Sequence, residues 1–238
     1  CNTRVSGWIR NNWRIGRYTM FGGFNEATVG YYKAVRKNNC KATHKESEQL
    51  YLDGVKYPLE ELYYELYSYF SKLDRDLLSN KRRCISSAYN DARFCNDAPI
   101  KEYFYIRFKL DTVNRKNALG FFFDASLSGY KYGLNIYNLD ARGMDKIRNY
   151  ILDNKHYAKE VIEKFNKAGL LEVQGEKYKR AYYPDENAVL QEWLERKRIS
   201  FVHEDELSNV FYGRDMLNCI LAAFDSVQDV YFMLKEAL

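Results

Sequence analysis

Along residues 102–110 apolar and polar side chains alternate. Phe104, Ile106, Phe108 and Leu110 fall on one side, and Tyr103, Tyr105, Arg107 and Lys109 on the other. Successive strand side chains point to opposite faces, so this period of two predicts a strand with one apolar and one polar face. Residues 119–125, rich in Phe, and residues 130–138 predict two more strands, joined by a short hairpin loop at 126–129. A strand near 84–88 would complete an antiparallel meander. Elsewhere the spacing is helical. Leu59, Leu62, Tyr63, Leu66, Tyr69 and Phe70 recur at i, i+3, i+4 and i+7, predicting a helix that starts at Pro58 and closes at Leu73.

Other helices are predicted at 26–37, with Asn25 as its cap, and at 43–54, 140–152, 156–168 (stopped by Gly169), 185–196, 203–208 and 213–238. Residues 170–180 read as short strands around Gln174-Gly175, and 199–202 as an edge strand. No Pro/Gly/Ser-rich linker interrupts residues 20–238. The expected fold is therefore α+β, a single domain with an antiparallel β-sheet packed against several α-helices.

Composition adds exclusions. With 238 residues, 46% hydrophobic and 29% charged, the chain can bury a core and is neither disordered nor fibrous. Its net charge of +5 is uneven: residues 1–19 hold Arg4, Arg10, Arg14 and Arg17 and no acid, so the rest carries only +1. A nearly neutral body lacks the basic footprint of a nucleic-acid binder. Residues 1–19 also lack a signal-peptide apolar core and read as an upstream or vector-derived extension before Met20; the rival reading is a basic anchor using Trp8, Ile9, Trp13 and Ile15. No apolar run is long enough for a membrane span. Five scattered cysteines with no C-x-x-C suit a reducing compartment, and these features together point to the cytoplasm.

Several segments carry a family resemblance. They are Phe21-Gly-Gly-Phe24 with Lys37-Asn-Asn39, then Tyr51, Val55 and Pro58, and then the stretch from Ile85 to Phe94 that contains Asp91, Arg93 and Phe94. Asp97, Pro99 and Lys101 follow, and Tyr178-Lys-Arg180 and Asn187 to Lys197 complete the set. From Phe21 onward the chain resembles the bacterial family numbered 2461 among domains of unknown function. That resemblance implies no established substrate. Where typical members carry arginines, this chain has Ser87 and Asn90, which removes a simple cation cluster at that turn.

The richest chemistry lies at 89–109. Arg93 could grip a phosphate or carboxylate in bidentate fashion, with Asp91 orienting it and Lys101 as a point charge; alternatively Asp91 and Arg93 pair internally and fix the loop. Tyr105 and Arg107 stand on a strand face able to stack bases, unless helices cover it. Lys179 and Arg180, beside Lys177, could add charge to an anion site or be solvated surface. Asp124 with Asp91 or Asp97 could hold Mg²⁺, although no spacing requires a metal or cofactor. Cys84 and Cys95 flank the marked loop and could be nucleophiles or inert buried thiols. His44, His156 and His203 are isolated, no catalytic motif is present, and catalytic residues stay unassigned. The leading expectation is a pocket for a small anionic ligand where the 89–101 loop meets the sheet. The alternatives are a protein-interaction module and single-stranded nucleic-acid binding.

Overall fold

A computed structural model describes residues 20–91, 93, 97–112 and 115–238. The extension at 1–19, Phe94 and Cys95 lie outside the described residues. The alternating stretches become β1 (Tyr103–Lys109), β2 (Ala118–Ser126) and β3 (Gly129–Tyr137), paired antiparallel in sequence order. β4 (Glu172–Gln174) and β5 (Ser200–Asp205) complete one sheet of order β1-β2-β3-β5-β4.

Two readings at this end of the sheet are corrected. The stretch predicted as an edge strand is interior, because β5 pairs β3 on one side and β4 on the other. The acidic run from His203 continues β5 instead of opening a helix. Pairing of His203 with Tyr132 and of Glu204 with Lys131 captures that backbone, and tertiary pairing overrides local helix signals. The strand expected near 84–88 is also absent among the described residues. A short helix (Lys81–Cys84) is followed by single bridges, Ile85 to Ile106 and Tyr89 to Ile100. The Ser86 hydroxyl accepts the Tyr105 N–H at 3.1 Å, so a side chain stands where a ladder would use a carbonyl.

The predicted helix at 26–37 forms as α1 (Glu26–Lys37), with a capping box between Asn25 and Thr28. The helix expected at 43–54 is instead α2 (Lys41–Glu46) and α3 (Glu48–Tyr51), followed by a π-turn (Leu52–Lys56) that runs directly into α4 (Tyr57–Leu73). Pro58 has no N–H to offer the carbonyls one turn back. Asn25 Nδ2 and Thr28 Oγ1 donate to the Asp53 and Gly54 carbonyls instead, at 2.9 and 2.6 Å. Gly54 permits this approach, since a Cβ there would lie 2.3 Å from the Thr28 nitrogen. The Lys81–Cys84 turn is α5.

After β3 come α6 (Ala141–Asp153) and α7 (Lys155–Ala168), the latter ended by Gly169 in the left-handed region. The helix predicted at 185–196 contracts to α8 (Ala188–Leu194). The C-terminal helix divides into α9 (Asp215–Ser226) and α10 (Gln228–Ala237), bent by 50°. No single helix among the described residues is long and apolar enough to cross a membrane.

One sheet face is the core. Phe70 of α4 packs on Phe108 and Phe121 at 4.6 and 5.0 Å between ring centres. Phe224 of α9 and Tyr231 of α10 reach Phe121 at 4.9 and 5.2 Å, and Phe165 of α7 reaches Phe201 at 5.3 Å. On the opposite face Tyr105, Arg107, Lys109, Asp124, Asn135 and Tyr137 stay half-exposed. The fold is α+β as expected.

Gly133 tests the register of that sheet. Its φ is +154°, and a Cβ would lie 1.9 Å from the Phe201 carbonyl oxygen. Gly133→Ala is expected to cost roughly 3 kcal/mol, or about 6–12 °C in Tm for a chain of this size, by thermal circular dichroism. An unchanged Tm would contradict the β3–β5 register.

Candidate functional site

On the half-exposed face the register builds three adjacent rows. Lys109, Gly120, Asn135, Ser200 and Gln174 form one; Arg107, Phe122, Gly133 and Val202 the next; Tyr105, Asp124, Lys131 and Glu204 the third. Gly120 and Gly133 bring no side chain, which leaves a depression with Phe122 and Val202 in its lining. A cavity of about 170 Å³ occupies it, bordered also by Arg107, Asp124, Lys131, Asn135, Tyr137 and Ser200.

Arg107, on the edge strand β1, lines it. Its guanidinium stacks on the Tyr105 ring at 3.9 Å and faces Tyr137 at 5.4 Å, and Nη2 reaches Asp124 Oδ2 at 3.5 Å. Three polar atoms here are buried with no hydrogen-bond partner: Arg107 Nε, Asp124 Oδ1 and Tyr137 Oη. Buried polar atoms are nearly always paired, so three orphans from residues lining one cavity mark a place that needs a ligand or water. Burial pushes the Asp124 carboxyl pKa up, against the pull of Arg107 and Lys131, and burial also raises that of Tyr137.

A second cavity of about 230 Å³ adjoins the first, sharing Arg107. Arg83, Lys109, Asp111 and Arg115 line it. Lys109 is pushed down by burial and by Arg107 and Arg115.

Of the residues singled out in the sequence, Tyr105, Arg107 and Asp124 belong to this face. Asp91 and Arg93 form a closed pair in the loop, with Arg93 Nε to Asp91 Oδ1 at 3.0 Å and Nη2 to Oδ2 at 2.5 Å. That bond holds the Asp91 carboxyl down at about 2. Lys101 Nζ donates to the Ser87 and Tyr89 carbonyls at 3.1 and 2.8 Å, stitching the loop to itself, and burial with repulsion from Arg107 lowers its pKa. Asn39 clamps the loop's end, exchanging two 2.9 Å bonds with the backbone of Ile100. Asp91, Arg93 and Lys101 border neither cavity, and nor do Lys179 and Arg180, which follow β4.

The metal and nucleophile candidates take other roles. Asp124 pairs with Arg107, and no group of three or more His, Cys, Asp or Glu among the described residues could hold a metal. Cys84 is fully buried, and burial pushes its thiol to about 11. His203 stacks on Tyr132 at 4.8 Å.

The sequence reading missed Tyr137, Lys131, Asn135, Ser200 and Gln174. The available signal was Asp124, a charge inside an otherwise apolar strand. It also missed Arg148, whose buried guanidinium donates to the Leu194 and Arg196 carbonyls at 3.0 and 2.6 Å and to Tyr178 Oη at 3.1 Å.

A family model described as a conserved hypothetical protein, DUF2461, matches residues 27–232, a span that takes in both cavities. The chain belongs to the DUF2461 family. No curated protein and no solved structure matches it. The positions where this DUF2461 chain carries Ser87 and Asn90 are used structurally: Ser87 receives Lys101, and Asn90 Nδ2 donates to the Ala98 carbonyl at 2.8 Å.

The raised pKa of Asp124 gives a pH test. The folded state holds this proton more tightly than the unfolded chain does. The penalty for ionising it is therefore fully present above the folded pKa and disappears as pH falls below the ordinary carboxylate value of 3.8. Asp124→Asn is expected to raise Tm at neutral pH, the gain shrinking towards about pH 4. A gain independent of pH, in parallel thermal melts, would show that the carboxylate's burial is not its source.

Proposed function

We propose that this DUF2461 protein binds a small anionic ligand on the half-exposed face of its sheet, with Arg107 as the anchor. The carrying observation is that three residues lining one cavity, Arg107, Asp124 and Tyr137, each keep a buried polar atom without a hydrogen-bond partner. Arg107 is permanently charged, and its stacking on Tyr105 fixes the plane from which its N–H groups donate. Tyr137 Oη can donate a further hydrogen bond, and Lys131 adds charge at the rim.

The ligand site thus moves from the loop to the sheet it abuts. Asp91, Arg93 and Lys101 act as loop scaffold in this reading, since Arg93 binds Asp91 and Lys101 binds Ser87 and the Tyr89 carbonyl. The cavity is small and cupped, which favours a compact ligand over a stacked nucleic-acid strand.

A thermal-shift screen of phosphates, sulfate and carboxylates tests this. Ligand that binds only the native state raises Tm. At least one anion class is expected to do so, with affinity falling about tenfold or more in Arg107→Gln, as loss of a charged hydrogen bond implies. Arg93→Ala is expected to keep the shift. A flat screen on folded protein, or a shift lost in Arg93→Ala and kept in Arg107→Gln, would refute the assignment.

A further inference from the structure

The two adjoining cavities differ in charge, and that difference describes a ligand more fully. The larger is bordered by Arg83, Arg107, Lys109 and Arg115, with Asp111 the one carboxylate among its lining residues. Asp111 pairs with Arg83 at 3.4 Å, where both are largely exposed and the attraction is weak. Lys109 and Arg115 make no ion pair among the described residues, and Lys109 sits 5.3 Å over the Tyr137 ring. An enclosure with this excess of cations suits a group carrying two negative charges.

The smaller cavity asks for something else. Asp124 Oδ1 is a buried acceptor without a donor, and it would repel an anion placed against it. Asn135, Gln174, Ser200 and Tyr137 line the same cavity, all able to exchange hydrogen bonds with hydroxyl groups. Arg107 and Lys131 on the same cavity disfavour an ammonium as the donor. The ligand end lodged here therefore bears neutral O–H donors.

We infer that the ligand is a phosphate monoester of a small polyhydroxylated molecule. Its phosphate lies in the Arg83, Lys109 and Arg115 cavity, its hydroxyls lie against Asp124 and Ser200, and Arg107 stands between them. This rests on the reading of Arg107 as an anion anchor and adds the substrate class and its orientation. The orphaned carboxylate oxygen belongs to one cavity and the excess of cations to the other, and Arg107 lines both.

Calorimetric titration of the full chain with inorganic phosphate, glycerol 3-phosphate, glucose 6-phosphate and glucose is the test. At least one of the two esters is expected to bind about tenfold or more tightly than inorganic phosphate, and glucose alone to bind far more weakly than that ester. Asp124→Asn is expected to shrink the ratio of ester to phosphate affinity at least fivefold, and Lys109→Gln to weaken ester and phosphate together. Should Asp124→Asn fail to fold, Ser200→Ala carries the same comparison. If inorganic phosphate and both esters bind equally, or the ratio survives Asp124→Asn, the two-part ligand is wrong while the anion anchor stands. If no anion binds the folded protein, both readings fail.

Discussion

Both faces of the sheet depend on the register that sets Arg107 opposite Phe122 and Phe122 opposite Gly133. Strand side chains alternate with a period of two, so a slip of one residue would send Phe108 and Phe121 into water and Arg107 and Lys109 into the core. Burying an aromatic side chain stabilises by about 1.5–3 kcal/mol, and Phe104, Phe108, Phe121, Phe123 and Phe201 are all essentially inaccessible. The helices that pack on those rings therefore hold the polar face in place without touching its chemistry. The core supplies the stability, and the other face can carry unpaired polar atoms that would be costly on their own.

The far wall of the site has a separate support. Ser200 and Gln174 come from β5 and β4, which are joined by irregular chain on either side of the short helix α8. Arg148, on α6, closes that segment by donating to two backbone carbonyls, while Glu195 Oε1 accepts the N–H groups of Tyr182 and Tyr183, both at 2.8 Å. A buried guanidinium is stable only when its donors are used, and here they are used to fix the turn that leads from the end of α8 towards β5. On the near side the loop before β1 is pinned by Lys101 and Asn39. The sheet face is thus framed by two connecting segments held by side chain to backbone bonds, an arrangement in which a rigid scaffold can present binding groups.

Much of this architecture is legible in the pattern of the chain. The period of two marks β1, β2 and β3 to within about a residue, and helical spacing with Asn25 and Gly169 marks the bounds of α1 and α7. The readings that failed share a cause: the deciding partner is remote in sequence. His203 to Asp205 look helical until β3 pairs with them, and the π-turn before α4 forms because α1 supplies donors for carbonyls that Pro58 leaves unmet.

The candidate site divides in the same way. Arg107 and Tyr105 stand out in the sequence because they share a strand face two residues apart, and local geometry alone puts them together. Arg93 and Asp91 also stand out, and their closeness along the chain is the reason they neutralise each other. Asp124, Tyr137, Lys131 and Ser200 join Arg107 only through strand pairing, which brings residues 17 to 93 positions apart onto one surface. The sequence by itself determined most of the strands and helices and the face their side chains take, because those follow from periods of two and 3.6 along the backbone. Which strands are neighbours, and therefore which charges meet across a glycine-lined hollow, was decided only by the tertiary structure, because that choice depends on how the buried aromatic rings pack.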